Sequence, residues 1–553
     1  MDLADGSGSS HDGVADTFKF TNGNEKVIGD AKTLTAGDSL IDTGSGDTDI
    51  LELSFELTDG MKTIGSKGVG SGATISGIEK LEIKGNNAAG VTFDNTAAIT
   101  GLTTISFSGD TLGGFKFDGS KKIINGITTI EYTGVTGGSV TINASKAKAT
   151  QALTIEGSGV DATVIAGAGN DTITGQGSIN AGDGNDTIVL TGAATVDAGK
   201  GNDVIDAANN VGVDVTGISI NAESGDDVIT VAAAASINAG AGNDVIDASQ
   251  YTGIDDAEAI TIIAGDGDDI ITVGGNASVE TGSGKDIITT VDGYAGVLTV
   301  SDFETGDILN LTGGTGNVTV SGNYAGNTLK VGADATLHLS GSGVNIDISK
   351  ATIAEGAKIQ ITADGSASVV GSNLDDSINA GSGSTIHGGK GADTITITAT
   401  GVTGNVATVN YSAGDSAVVT ATVTEINSGS GNIDFAEIPT SGVDIIKGIA
   451  KGTGGSAVVN TKITLNGEYK TAGEGEFVEA GTQTASYQTN FVTDDLNAFV
   501  FKKDGKAYLF YETESGDASN LGAGEIVELA GAENLKFAVT YSSGVTTINL
   551  ASS

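Results

Sequence analysis

One pattern recurs along this chain and limits what it can fold into. It reads AGAGNDTIT at 166–174, AGDGNDTIV at 181–189, AGKGNDVID at 198–206, AESGDDVIT at 222–230, AGAGNDVID at 239–247, AGDGDDIIT at 264–272 and TGSGKDIIT at 281–289. An eighth copy, GGKGADTIT, stands at 388–396. The shared core is Gly-x-Gly-x-Asp-x-Ile, and only Glu223 breaks the glycine pair. Composition alone would produce roughly one Gly-x-Gly-x-Asp, so the array is internal repetition.

Each aspartate is followed two residues later by an isoleucine: Ile173, Ile188, Ile205, Ile229, Ile246, Ile271, Ile288 and Ile395. Three residues before each first-glycine position stands Val164, Ile179, Val196, Ile220, Ile237, Ile262, Val279 or Ile386. Each unit therefore has one inward apolar residue, a glycine turn, and a second inward residue. Side chains alternate with period two along a strand, so one or two apolar residues per short strand suffice if units stack. A lone unit cannot bury its isoleucine, whereas a pile of them can. The fold class predicted is all-β: an elongated parallel β-solenoid or β-roll, with an isoleucine ladder along its axis and a C-terminal β domain.

The turn carries chemistry of its own. Glycine admits backbone conformations closed to other residues and lets carbonyl oxygens crowd together. The aspartate adds a carboxylate at a constant offset. Carbonyls plus carboxylates form an oxygen-only donor set, suited to calcium. The candidate metal-binding residues are Gly167, Gly169 and Asp171; Gly182, Gly184 and Asp186; Gly199, Gly201 and Asp203; Gly225 and Asp227; Gly240, Gly242 and Asp244; Gly265, Gly267 and Asp269; Gly282, Gly284 and Asp286. Asp376, in the degenerate copy GSNLDDSIN, joins Gly389, Gly391 and Asp393 as a second block. The alternative is a glycine-aspartate turn that holds no metal.

These windows resemble the RTX family, whose glycine-rich nonapeptide runs Gly-Gly-x-Gly-x-Asp-x-(large apolar)-x. Gly388–Thr396 fits at every fixed place, while the other copies put Ala or Thr first. The aspartates here step by 15, 17, 24, 17, 25 and 17 residues rather than by nine. One turn per coil keeps the motif and the other is plain, such as GAAT at 192–195, so a single row of calcium ions is expected. The resemblance further implies export by a type I system that reads an uncleaved C-terminal region. It also implies folding in extracellular calcium.

The chain of 553 residues has a formal net charge of −44, no Cys, no Trp and one proline, and its 26 basic residues are all lysine. Such charge resists compaction unless counter-ions are bound. It argues against nucleic acid as a partner, since phosphates would be repelled. Without cysteine there is no disulfide staple. No apolar run reaches membrane-spanning length, and the first residues read as neither a secretory signal nor a transit peptide.

In chain order, 1–17 reads as a loose terminus and 18–160 as solenoid without regular calcium turns. Residues 161–300 read as the calcium-binding roll, 301–400 as its continuation with the second block, and 401–553 as a C-terminal β domain. In the second region GIEKLEI (77–83), GLTTISF (101–107) and GITTIEY (126–132) recur at steps of 24 and 25. They read as the same coil stripped of metal turns, with ordinary antiparallel β-structure as the alternative. A glycine-acid turn at 43–50 holds Asp47 and Asp49, offset by one from the motif, and is a weaker metal candidate. Asp302 and Asp307 in SDFETGDILNL are weaker still. AFVFKKDGKAYLFYE at 498–512 reads as a hairpin turning at 503–505.

A search for catalytic machinery finds little. There are three histidines, His11, His338 and His387, and no HExxH, G-x-S-x-G or P-loop. Many carboxylates are present, but nothing singles out a glycosidase pair. With no active site visible in an acidic, repetitive, all-β chain, the resemblance to RTX-type surface-layer proteins implies a non-enzymatic, calcium-dependent structural protein of a bacterial surface layer. It would be secreted to the cell surface, with copies of itself as lattice partners. Attachment to the outer-membrane surface or lipopolysaccharide would use a region the sequence does not identify. The alternatives are a fragment of an RTX adhesin or ice-binding protein, or the non-catalytic part of a secreted RTX hydrolase.

Overall fold

The structure is a computed structural model. It describes residues 17–19, 23–30, 33–34, 38–44, 46–56, 62–64, 71, 73–94, 99–120, 126–209, 217–254, 259–325, 329–365, 367–381 and 383–398, and thereafter mainly the backbone of strands between Ala407 and Ser552. Most of the terminus 1–17, His11 included, lies outside the described residues. Among the described residues every regular element is a strand, as the two-residue periodicity predicts. No described helix is long and apolar enough to cross a membrane. The chain divides into two units, Met1–Asp286 and Ile287–Ser553.

The first unit is a stack of coils joined by parallel pairing. Val27, Leu51, Leu81, Ile105, Ile130, Ile155, Ile173, Ile188, Ile205, Ile229, Ile246 and Ile271 occupy one register position in successive coils. None is more than 2% exposed. A second column runs Ile64, Phe93, Phe117, Ile142, Val164, Ile179, Val196, Ile220, Ile237, Ile262 and Val279. Burying each such side chain contributes about 1.5–3 kcal/mol, and the columns supply that term to every coil. The repeats at 77–132 therefore belong to the same parallel stack as the glycine array, and the antiparallel alternative does not hold for them. Where Phe93 and Phe117 replace aliphatics, their rings stack at 5.9 Å.

The coils ahead of the glycine array balance charge with lysine. Lys26 Nζ lies 2.6 Å from Glu52 and 2.7 Å from Glu82, and Lys84 reaches Glu52 at 2.7 Å. Lys80 reaches Glu131 at 3.1 Å. From Asp171 to Asp286 there are only two lysines, Lys200 and Lys285.

Among its described residues the second unit continues the parallel stacking in three long columns. One runs from Ile288 to Leu309 and Leu329. A second runs Val300, Val318, Leu339, Ile361, Ile378, Ile395 and Ile446. The third runs Tyr324, Ile346, Val369, Ile386, Val409 and Ile463. Parallel stacking thus continues past residue 400. Antiparallel pairing joins it there, as in Ala417–Val423 with Ile433–Phe435, Leu496–Lys503 with Lys506–Glu512 and Leu535–Ser542 with Val545–Ser552, while Asp444–Lys447 still pairs in parallel with Asn520–Leu529. Lys503 pairs with Lys506, which closes the expected hairpin; residues 504 and 505 lie outside the described residues.

Candidate metal centre

The array aspartates form a ladder. The N–H of Leu153 donates to Asp171 Oδ1 at 2.7 Å, and the N–H of Asp171 donates to Asp186 Oδ1 at 2.7 Å. The same bond joins Asp186 to Asp203, Asp203 to Asp227, Asp227 to Asp244, Asp244 to Asp269 and Asp269 to Asp286, at 2.7–2.9 Å. Each carboxylate thereby spans two coils, and each is 1% exposed or less.

Only one oxygen of each carboxylate is used in this way. Oδ2 of Asp171, Asp186, Asp203, Asp227, Asp244 and Asp269 is buried with no hydrogen-bond partner. A shielded ionised carboxylate with an unbonded oxygen is costly. Burial accordingly pushes the Asp171 and Asp203 carboxyls up to about 7, and those of Asp186, Asp227 and Asp269 up to about 6. The ladder N–H works in the opposite direction in each case, and Asp244 is raised for the same reason.

The glycines let the turns nest. Gly199 and Gly201 have φ of 105° and 127°. A Cβ on them would stand 1.8 Å from the Gly182 carbonyl oxygen and 1.9 Å from that of Gly184. Each carbonyl thus lies against the equivalent turn of the next coil. Gly182, Gly184, Gly225, Gly240, Gly242, Gly265, Gly267, Gly282 and Gly284 share this positive φ, but Gly167 and Gly169 in the first copy do not. Glu223, at φ 70°, takes the left-handed conformation without being glycine.

The sequence reading did not single out a second ladder. Oδ1 of Asn170, Asn185, Asn202, Asp226, Asn243 and Asp268 accepts the N–H of the equivalent residue one coil later, at 2.8–3.1 Å. It runs opposite to the buried ladder and on the exposed side. Its signal was legible: six of the seven residues preceding the array aspartates are Asn or Asp, and Lys285 ends the series.

The second block is built differently. Asp376 donates its N–H to Asp393 Oδ1 at 2.9 Å, repeating the ladder. However, Ser372 satisfies both oxygens of Asp376, through its N–H and its hydroxyl. Asp376, expected as a metal ligand, presents no open oxygen, and its carboxyl is pushed up to about 7 by burial. Gly389 and Gly391 keep positive φ. Ile395 stacks in the Val300–Ile378 column and not in the one that Ile288 heads, so within this unit the motif occupies more than one row of strands. The weaker candidate Asp307 is buried and accepts the Glu304 N–H at 2.8 Å, which caps its own turn. His338 bonds Asn317 at 3.0 Å inside a strand ladder.

A small acidic group lies apart from the array. Glu25, Asp47 and Asp49 bring carboxylate oxygens within 4.8 Å of one another and could coordinate one metal ion.

The array residues fit calcium on their chemistry. The donors are carboxylate and carbonyl oxygens, one carboxylate oxygen per coil is buried and open, and the glycine turns leave no Cβ in the way. The aspartates from Asp171 to Asp269 and the carbonyls of their glycine turns would hold the ions. A bound ion would supply positive charge to carboxylates that otherwise lack it. Compared with models of known protein families and with curated protein sequences, the chain matches none. What the fold defines is a parallel all-β repeat scaffold.

Proposed function

We propose that this chain is a calcium-dependent structural protein of a bacterial surface layer, folding outside the cell and assembling with copies of itself into a two-dimensional lattice. The carrying observation is the column of buried carboxylates with one oxygen bonded and one left open. In low calcium these carboxylates repel one another and disfavour the roll. In the calcium concentrations of extracellular sites, about 10⁻⁴–10⁻³ M in affinity, they become the staple that disulfides provide elsewhere. The net charge of −44 favours the same reading, since a chain so acidic needs counter-ions to compact. The role is mechanical, with no catalytic step assigned.

Electron microscopy of the full chain with and without calcium tests both parts. Ordered arrays are expected in millimolar calcium and none after chelation. Folded but dispersed single molecules at saturating calcium would refute the lattice. Circular dichroism indifferent to chelator would refute the calcium dependence.

A further inference from the structure

We propose a second kind of cation site, near the start of the first unit and ahead of the Asp171–Asp286 array, in which Glu25, Asp47 and Asp49 take one calcium ion. Their oxygens converge within 4.8 Å. They also come from two successive coils. Glu25 directly precedes the strand Lys26–Asp30 and Asp49 directly precedes Ile50–Glu56, strands paired in parallel with Lys26 opposite Ile50. An ion here would clip one coil to the next.

A cluster of acids alone would not argue for a ligand, but the state of its buried oxygens does. Asp49 is 0% exposed, and its Oδ2 has no hydrogen-bond partner. Asp47 Oδ2 is likewise shielded and unbonded. Asp49 is also held in place. Its Oδ1 accepts the Glu25 N–H at 2.9 Å, and its own N–H donates to Glu79 Oε2 at 2.9 Å. The turn is tied by the Thr48 N–H donating to Asn24 Oδ1 at 2.9 Å. Lys26, next to Glu25 in sequence, carries its ammonium to Glu52 and Glu82.

Register makes the site intelligible. Leu51 lies in the same buried column as Ile173 and Ile205, so Asp49 occupies the place that Asp171 and Asp203 occupy later. The aspartate is in phase with the motif, and it is the glycine that is displaced: Gly46 stands three residues before Asp49 rather than two. The side chains of Glu25 and Asp47 then replace the missing turn carbonyls. Three carboxylates and no nitrogen or sulfur select a hard cation, and calcium tolerates such an irregular shell best.

The site does not depend on the array holding calcium, and one experiment separates the two. Bound calcium is counted per full-length chain by native mass spectrometry, with calcium chloride titration by calorimetry alongside. Asp47→Asn and Asp49→Asn are each expected to lose one ion, and circular dichroism reports whether the fold survives. Asp47 is only half-buried, so D47N carries the test if D49N misfolds. Asp203→Asn is the array control. A lower count in D47N with no change in D203N leaves this site standing while the array reading falls. A wild-type count in D47N overturns the proposal.

Discussion

The N–H of Asp203 donates to Oδ1 of Asp227 at 2.7 Å, across twenty-four residues of chain. Asp227 Oδ2 meets no partner. The same half-used carboxylate recurs from Asp171 to Asp269, so the coil stack is bonded on one side of each aspartate and left open on the other. Four predictions follow from that asymmetry and from its neighbours.

The substitution Asp203→Asn should change sign with calcium. Asparagine keeps an oxygen to accept the Asp186 N–H and removes a buried charge. Without metal at neutral pH the variant should melt no lower than wild type. With calcium it should bind about 10-fold or more weakly, as expected for loss of a ligating charge. Paired thermal melts in chelator and in calcium check this; equal destabilisation in both would reject it.

Acid should partly replace calcium. The folded carboxyls of Asp171 and Asp203 titrate near 7 and those of Asp186, Asp227 and Asp269 near 6, against about 3.9 in an unfolded chain. The folded state therefore binds more protons between those values. The stabilisation is complete below about pH 4 and is lost as pH rises through 6 to 7. Melting of metal-stripped protein should accordingly fall from pH 5 to pH 8, and flatten in saturating calcium. A rise with pH in the stripped protein would contradict the assignment.

Chelation should act locally. Hydrogen exchange should accelerate across 171–286, where carboxylates outnumber lysines. It should remain slow across Lys80–Glu156, where Glu82 and Glu131 are paired with lysine. Uniform deprotection of both stretches would show that the lysine-paired coils do not stand alone.

The glycine turns admit opposite substitutions. Glu223→Gly removes a left-handed non-glycine residue and should stabilise by about 1 kcal/mol. Gly201→Ala drives a Cβ to 1.9 Å from the Gly184 carbonyl and should cost at least about 2 kcal/mol. Chemical denaturation in calcium measures both.

Much of this was legible in the sequence because its causes are local. Ile173 and Val164 announce their columns by a two-residue alternation and a repeated offset, and a parallel stack is the way such units bury both. The turn at Gly199 and Gly201 is similarly visible, since only glycine lets carbonyls of successive turns lie so close. The Asn170–Asp268 ladder was present in the pattern, one residue before each array aspartate, but Asn and Asp at an outward position are equally what a plain polar surface presents.

By itself, then, the sequence determined the coil: its strand alternation, its glycine corners, its acidic column and its parallel class. The tertiary structure alone decided which oxygens are satisfied. Asp376 and Asp227 sit in similar motifs, yet Ser372, four residues before Asp376 in the same turn, folds back onto both oxygens of that carboxylate, whereas Oδ2 of Asp227 stays open. Asp49 looked out of phase until stacking placed Leu51 in the isoleucine column and brought Glu25 beside it. Coil lengths vary between 15 and 25 residues across the array, so sequence spacing cannot say which groups meet. That is settled by the phase of one coil on the next, which the buried columns hold in register.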